Sequence, residues 1–174
     1  IMMAPFGAAF MLVGPVSGYL SDRYGARGLA TAGLLVSALG LAGLSTVVST
    51  TSYWILAVLM ALMGGGSGLF ASPNMNAIMS SVQPGQRGIA AGTNAMLMNT
   101  GQMLSIAVAF PLVLSRIPLD VMFRVFLYGG GMSSTPQALA DFEMGTHEAF
   151  LVSFAVTIVA AVVSFLRPSL NKDR

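Results

Sequence analysis

A chain of 174 residues that is 55% hydrophobic and only 8% charged cannot coat a water-facing surface, because soluble domains carry about 25% charged residues. Its mean hydropathy of +0.80 makes the lipid bilayer the expected solvent. A net charge of +2 with scattered bases excludes a nucleic-acid surface, the lack of cysteine excludes disulfides and thiolate chemistry, and a single histidine leaves neither a metal-ligand cluster nor any cofactor to expect.

Ile1 to Leu20 is free of charge. At ~1.5 Å per residue it reaches ~30 Å, the thickness of the hydrocarbon core, and is read as the first membrane helix. Pro5 and Pro15 lie within it, which a membrane helix tolerates where neighbours satisfy the freed carbonyls. Gly7, Gly14 and Gly18 fall near one face and allow a second backbone to come close. Residue 1 is Ile and the chain opens in apolar sequence, with no basic segment or cleavage site of a signal peptide. The expectation is a piece of a longer protein whose N-terminal part is missing.

The turn Gly18 to Gly28, GYLSDRYGARG, holds one acid, Asp22, and two bases, Arg23 and Arg27. From Arg27 to Arg87 no residue between is charged, which is enough for two spans. Ser and Thr replace Leu and Ala over Ser45 to Ser52, so the second helix is placed at 29–48 and the third at 54–80. Tyr53 and Trp54 sit at the turn, where amphipathic rings favour the membrane boundary. Gly64, Gly68, Ser72, Asn76 and Ser80 recur at every fourth position of the third helix, one small stripe suited to tight packing. Gly64 to Gly68, GGGSG, lacks the lysine of a phosphate-cradling loop and reads as packing.

Ser81 to Gly88, SVQPGQRG, is the next turn, punctuated by Pro84-Gly85 and marked by Arg87. A fourth helix is expected at 89–115, with Gly88, Gly92 and Asn99 on one face and Asn94 and Gln102 beside it. The outer connection 116–146 is the longest polar one. Leu119 to Tyr128 reads as an interfacial segment, and Gln137 to Met144 as a short surface helix stopped at Gly145. Thr146 is placed as the cap of a fifth spanning helix at 147–166.

Alternating helices put the Gly18–Gly28 turn, the Ser81–Gly88 turn and the tail on one side. That side holds Arg23, Arg27, Arg87, Arg167, Lys172 and Arg174, against Arg116 and Arg124 on the other. The excess of bases assigns it to the cytoplasm, C-terminus included, in a multi-pass protein of the cell membrane.

The turn reads Gly-x-Leu-Ser-Asp-Arg-x-Gly-x-Arg and resembles the signature loop of the major facilitator superfamily of transporters. The segment Pro73 to Val108, with its proline helix, Pro-x-x-Arg-Gly turn and Asn/Gln-bearing helix, resembles the fourteen-helix drug:proton antiporters of the EmrB/QacA type. Ala26 departs from the pattern, where the family often has a further base. The resemblance implies an all-α integral membrane fold, five transmembrane helices of a six-helix half-bundle, partnered by the missing N-terminal half. It implies secondary active transport of a small molecule by alternating access, with proton-coupled efflux of amphipathic drugs the leading reading. A metabolite or sugar-derivative permease and a non-transporting membrane scaffold are the alternatives.

Two groups of residues carry these expectations. Gly18, Asp22, Arg23, Gly25 and Arg27 form a candidate gating loop, because a carboxylate near a helix start favours that end and biases alternating access. Their bland reading is a solvated turn that sets topology. Asn76, Asn94, Asn99 and Gln102 are candidate pathway residues, because amides inside a membrane need partners that a polar cavity supplies. Their bland reading is hydrogen bonding between helices. No Asp, Glu, Lys or Arg lies mid-span, so a proton-carrying acid is expected upstream of Ile1. His147 and Glu148 sit at a helix start, where capping is the simpler role. Asp, His and Ser never gather as an enzyme would need.

Overall fold

The computed structural model describes residues 3–48, 50–115 and 136–166, the side chains of 136–139 and 141 excepted. Among the described residues five helices carry the fold: α1 (Ala4–Tyr24), α2 (Ala26–Leu44), α3 (Tyr53–Ser80), α4 (Arg87–Leu114) and α5 (Pro136–Leu166). A single 3₁₀ turn, Pro84–Gln86, leads into α4. All five helices are long and apolar enough to cross a membrane. This follows from composition, since runs of Leu, Ala, Met and Gly satisfy their backbone groups within the helix, as the hydrocarbon core demands.

The first turn is tighter than its sequence suggests. Helix α1 continues through Asp22 and Arg23 to Tyr24, and α2 begins at Ala26. Only Gly25 breaks the helical path, with φ at 91°, and its N–H bonds back to the Ser21 carbonyl at 2.9 Å. A side chain at position 25 is strained by that φ.

The C-terminal third also differs from expectation. Helix α5 is continuous from Pro136, so the surface helix at Gln137–Met144 and the fifth span are one rod. Gly145 is not its stop. It is buried in mid-helix, and a Cβ there would lie 2.9 Å from the Cα and carbonyl oxygen of Val113. Thr146 is not a cap, since its hydroxyl donates back to the Phe142 carbonyl at 2.8 Å. A glycine followed by threonine marks either a helix end or a close crossing, and here the crossing with α4 decides. The interfacial reading of Leu119–Tyr128 and the tail from Arg167 lie outside the described residues.

Helix α3 is the hub. Its stripe of small residues meets α1 rung by rung. A Cβ on Gly64 would strike the Phe6 carbonyl, one on Gly68 would lie 3.0 Å from the Phe10 carbonyl oxygen, and one on Gly18 would lie 3.2 Å from the Ser72 hydroxyl. Residues 6, 10 and 18 rise with 64, 68 and 72, so α1 and α3 run parallel. The neighbouring face of α3 meets α2, which runs antiparallel. A Cβ on Gly33 would come within 2.6 Å of the Phe70 nitrogen, and one on Gly40 within 2.9 Å of the Met63 nitrogen. Gly66 lies backbone to backbone against Gly33 and Ser37.

Helix α5 packs along α2 in the opposite sense. The Thr31 hydroxyl donates to that of Ser164 at 3.1 Å near one end, and the His147 Nε2 lies 2.9 Å from the Val47 carbonyl oxygen at the other. A carbonyl only accepts, so the His147 Nε2–H is the donor in this contact. Helix α4 leans mainly on α5 and buries none of its residues.

The glycine crossing yields a test. Gly66→Val puts branched carbon against the α2 backbone at Gly33 and Ser37, which cannot rotate away as a long side chain would. Overpacking of this kind costs about 1–3 kcal/mol even where neighbours can adjust. The Gly66→Val protein is expected to lose its monodisperse peak in detergent gel filtration. Gly92→Ala, where nothing lies within 4 Å, is expected to keep it.

Candidate functional site

Alternation of the helices brings the α1–α2 turn, the Ser81–Gln86 connection and the end of α5 to one end of the bundle. The two charges of the turn that matter are poorly placed for their own helices. Asp22 lies in the last turn of α1, where the helix presents partial negative charge. Arg27 lies in the first turn of α2, where the helix presents partial positive charge. Other helices receive them. Asp22 Oδ1 accepts from the Asn76 side-chain amide of α3 at 3.4 Å. The Arg27 guanidinium stands 4.9 Å above the Phe165 ring of α5, a cation–π distance. Arg23 lies 6.0 Å from the ring of its neighbour Tyr24.

Asp22 and Asn76 continue the packing described above. Phe6, Phe10, Gly14, Gly18 and Asp22 are four apart on α1, and Gly64, Gly68, Ser72 and Asn76 are four apart on α3. The carboxylate–amide pair is the last rung of that ladder, at the water-facing end. Deeper down, the Ser17 hydroxyl is wholly buried, 2.9 Å from the Gly68 carbonyl oxygen and 2.8 Å from that of Gly14. Ser17, Phe165 and the Thr31–Ser164 pair were not singled out in the sequence. Ser17 carries one signal, a hydroxyl between two glycines on the packing face.

The four amides do not form one cluster. Asn76 joins Asp22. Asn94 is half-buried on α4, and its amide donates toward two thioethers, Met98 Sδ at 3.5 Å and Met75 Sδ at 3.8 Å. Asn99 and Gln102 are exposed, with no hydrogen-bond partner among the described residues. A groove of about 450 Å³ runs between α4 and α5, lined by residues such as Leu104, Ser105, Leu112, Ser153 and Thr157. The Ser153 and Thr157 hydroxyls donate to carbonyls of their own helix, so the groove presents mainly methyl and methylene groups. Among the described residues no three His, Cys, Asp or Glu side chains gather to hold a metal.

Five membrane-length helices joined by charged turns at one end define a multi-pass α-helical membrane protein, with small-residue crossings in place of a water-excluding core. The chain belongs to the Major Facilitator Superfamily, whose family model matches residues 1–174. Its relatives are transporters and resistance proteins. It is 36% identical over 117 residues to the methyl viologen resistance protein SmvA of Salmonella typhimurium, covering 67% of this chain and 23% of that one. It is 30% identical over 97 residues to the riboflavin transporter RibZ of Clostridioides difficile, covering 56% and 21%. It is 32% identical over 108 residues to the tetracenomycin C resistance and export protein of Streptomyces glaucescens, covering 62% and 20%. The chain thus spans less than a quarter of the length of each of these three. No solved structure gives a significant match. Members of this family are transporters, so the chain is not an enzyme.

The ladder register can be read chemically. The ideal Cβ of residue 18 lies 3.8 Å from the Ser72 Cβ, the mean spacing across a disulfide, and the chain has no cysteine of its own. Gly18→Cys with Ser72→Cys is expected to cross-link under mild oxidation and to hold together after proteolytic nicking between α1 and α3. Gly14→Cys with Ser72→Cys, one turn out of register, is expected not to. Equal cross-linking of both pairs would contradict the ladder.

Proposed function

We propose that this chain supplies the C-terminal membrane helices of a longer secondary transporter that exports amphipathic drugs by alternating access, driven by a proton gradient. The observation that carries this reading is the family match over the whole chain, supported by relatives named for methyl viologen resistance and tetracenomycin C export. The N-terminal helices of the same protein are its principal partner. The protonatable group belongs there, since Asp22 sits at a helix end and the middles of the five spans carry no ionisable side chain. The charged end of the bundle faces the cytoplasm, where Arg23, Arg27 and Arg87 satisfy the positive-inside rule.

In this reading Gly18, Asp22, Arg23, Gly25 and Arg27 form a gate element, and Asn76 acts with them. Gly18 lets α3 come close, Gly25 makes the one-residue turn, and Asp22 and Arg27 tie that turn to α3 and α5 respectively. Rocking of the bundle changes which groups meet these charges, and so biases the two access states. Asn94, Asn99 and Gln102 on α4 line the pathway. A metabolite permease is the second reading, favoured by the likeness to a riboflavin transporter.

The test uses the complete protein in cells lacking their own efflux pumps. Cells loaded with ethidium are expected to clear it several-fold faster than controls, and a protonophore is expected to abolish the difference. Asp22→Ala, which removes the acceptor for the Asn76 amide, is expected to slow efflux about fivefold to tenfold at saturating dye with little change in KM, as loss of a conformational contact predicts. Protonophore-insensitive retention of dye, together with saturable uptake of one metabolite, would move the assignment to the second reading.

A further inference from the structure

Asn94 is poorly served where it stands. Its amide hydrogens point at two sulfurs, which are weak acceptors, and its carbonyl oxygen accepts no hydrogen bond among the described residues. A half-buried carboxamide in a hydrocarbon environment gains by meeting a better partner. Its neighbours are suited to one kind. Asn94, Met98 and Gln102 are four apart on the continuous helix α4 and share a face, and Met75 approaches from α3. Gln102 is exposed and has no hydrogen-bond partner among the described residues. The result is a ledge of two carboxamides and two thioethers without any charge.

We propose that this ledge is a binding site for planar heteroaromatic molecules carrying a carbonyl or ring-nitrogen acceptor. The inference rests on the transport reading above and names the ligand class of the α3–α4 face. An acceptor on the ligand takes the Asn94 amide hydrogens from the sulfurs, and a ring N–H meets the Asn94 carbonyl oxygen. The freed thioethers of Met75 and Met98 then lie against the ring, the contact that polarisable sulfur favours. A saturated molecule offers no ring to the sulfurs. Because the ledge is uncharged, it selects for the ring and the acceptor rather than for the sign of the ligand's charge.

Binding is measured directly, so that it is independent of proton coupling and flux. The complete protein in nanodiscs is titrated with 9-acridone, a neutral, planar and fluorescent molecule with one carbonyl and one N–H. Saturable quenching is expected, and the saturated ring ketone cyclododecanone is expected to displace the probe at least tenfold less well than 4-quinolone, a smaller planar ring with the same carbonyl and N–H. Asn94→Ala is expected to weaken acridone binding at least fivefold, and Met75→Leu with Met98→Leu at least threefold. Leucine keeps the volume of methionine and so the packing. Met103→Leu is the thioether control. It lies on the far side of α4, 73% exposed, and is expected to change binding less than twofold. No saturable quenching, equal displacement by cyclododecanone, or equal loss in the Met103 control would overturn the ledge. Failure of efflux with acridone binding intact would instead count against the transport reading and leave the ledge standing.

Discussion

The backbone-to-backbone approach of Gly33 on α2 and Gly66 on α3 is the constraint on which the rest depends. Lipid tails are as apolar as leucine, so helices in a bilayer are not driven together by exclusion of water. They associate through dispersion and hydrogen bonds, both of which fall away steeply with distance. A glycine at the crossing removes the one atom that would hold the axes apart. Gly64 and Gly68 do the same for α1 on the adjacent face of α3. One helix with small residues on two faces therefore gathers two neighbours, and the hydroxyls of Ser17 and Ser37 reach its carbonyls at 2.9 and 3.4 Å.

A division of the bundle follows. Helices α1, α2 and α3 form a close trio, and α5 joins it along α2 through Thr31–Ser164 and His147. Helix α4 lies outside this trio, leaning on α5 at Gly145 and approaching α3 only lightly. The polar amides are distributed accordingly. Asn76, on the trio, is engaged by Asp22, whereas Asn99 and Gln102 stand exposed on α4. The part of the molecule packed most tightly uses its polar groups to fix register, and the part packed least leaves Asn99 and Gln102 exposed.

Much of this architecture is legible in the sequence, because a bilayer leaves few ways to hide a backbone. Charge-free runs locate the spans, and the four-residue recurrence from Gly64 to Asn76 locates the face that packs. What the sequence conceals is which helix receives each residue. Asn76 looks like its fellow amides on α4, yet the parallel run of α1 carries Asp22 to it. Gly145 and Thr146 have the composition of a helix end, yet a crossing with Val113 uses the same glycine within a continuous rod. Local chemistry is the same in both cases, and only the neighbour decides, which a single chain read in one dimension does not contain. The turn from Gly18 to Gly28 misleads for a related reason. Charged residues suggest a solvated loop, but at the membrane boundary they extend the helix into water instead, and only Gly25 leaves it.

That short turn has a consequence for how the charged end behaves. A long loop would let Asp22 and Arg27 relax independently of the helices, and their contacts would report little. With one residue between α1 and α2, each charge is fixed to a rigid rod and stands at the end of its own helix that disfavours it. The contacts to Asn76 and Phe165 thus offset an unfavourable placement rather than add to a good one. They are also exposed or half-exposed and individually weak, so neither locks the bundle. A charge pattern that merely set topology would gain by seating Asp22 at the start of α2 and Arg27 at the end of α1. The observed order is the reverse, and it makes the positions of α3 and α5 part of what stabilises the turn.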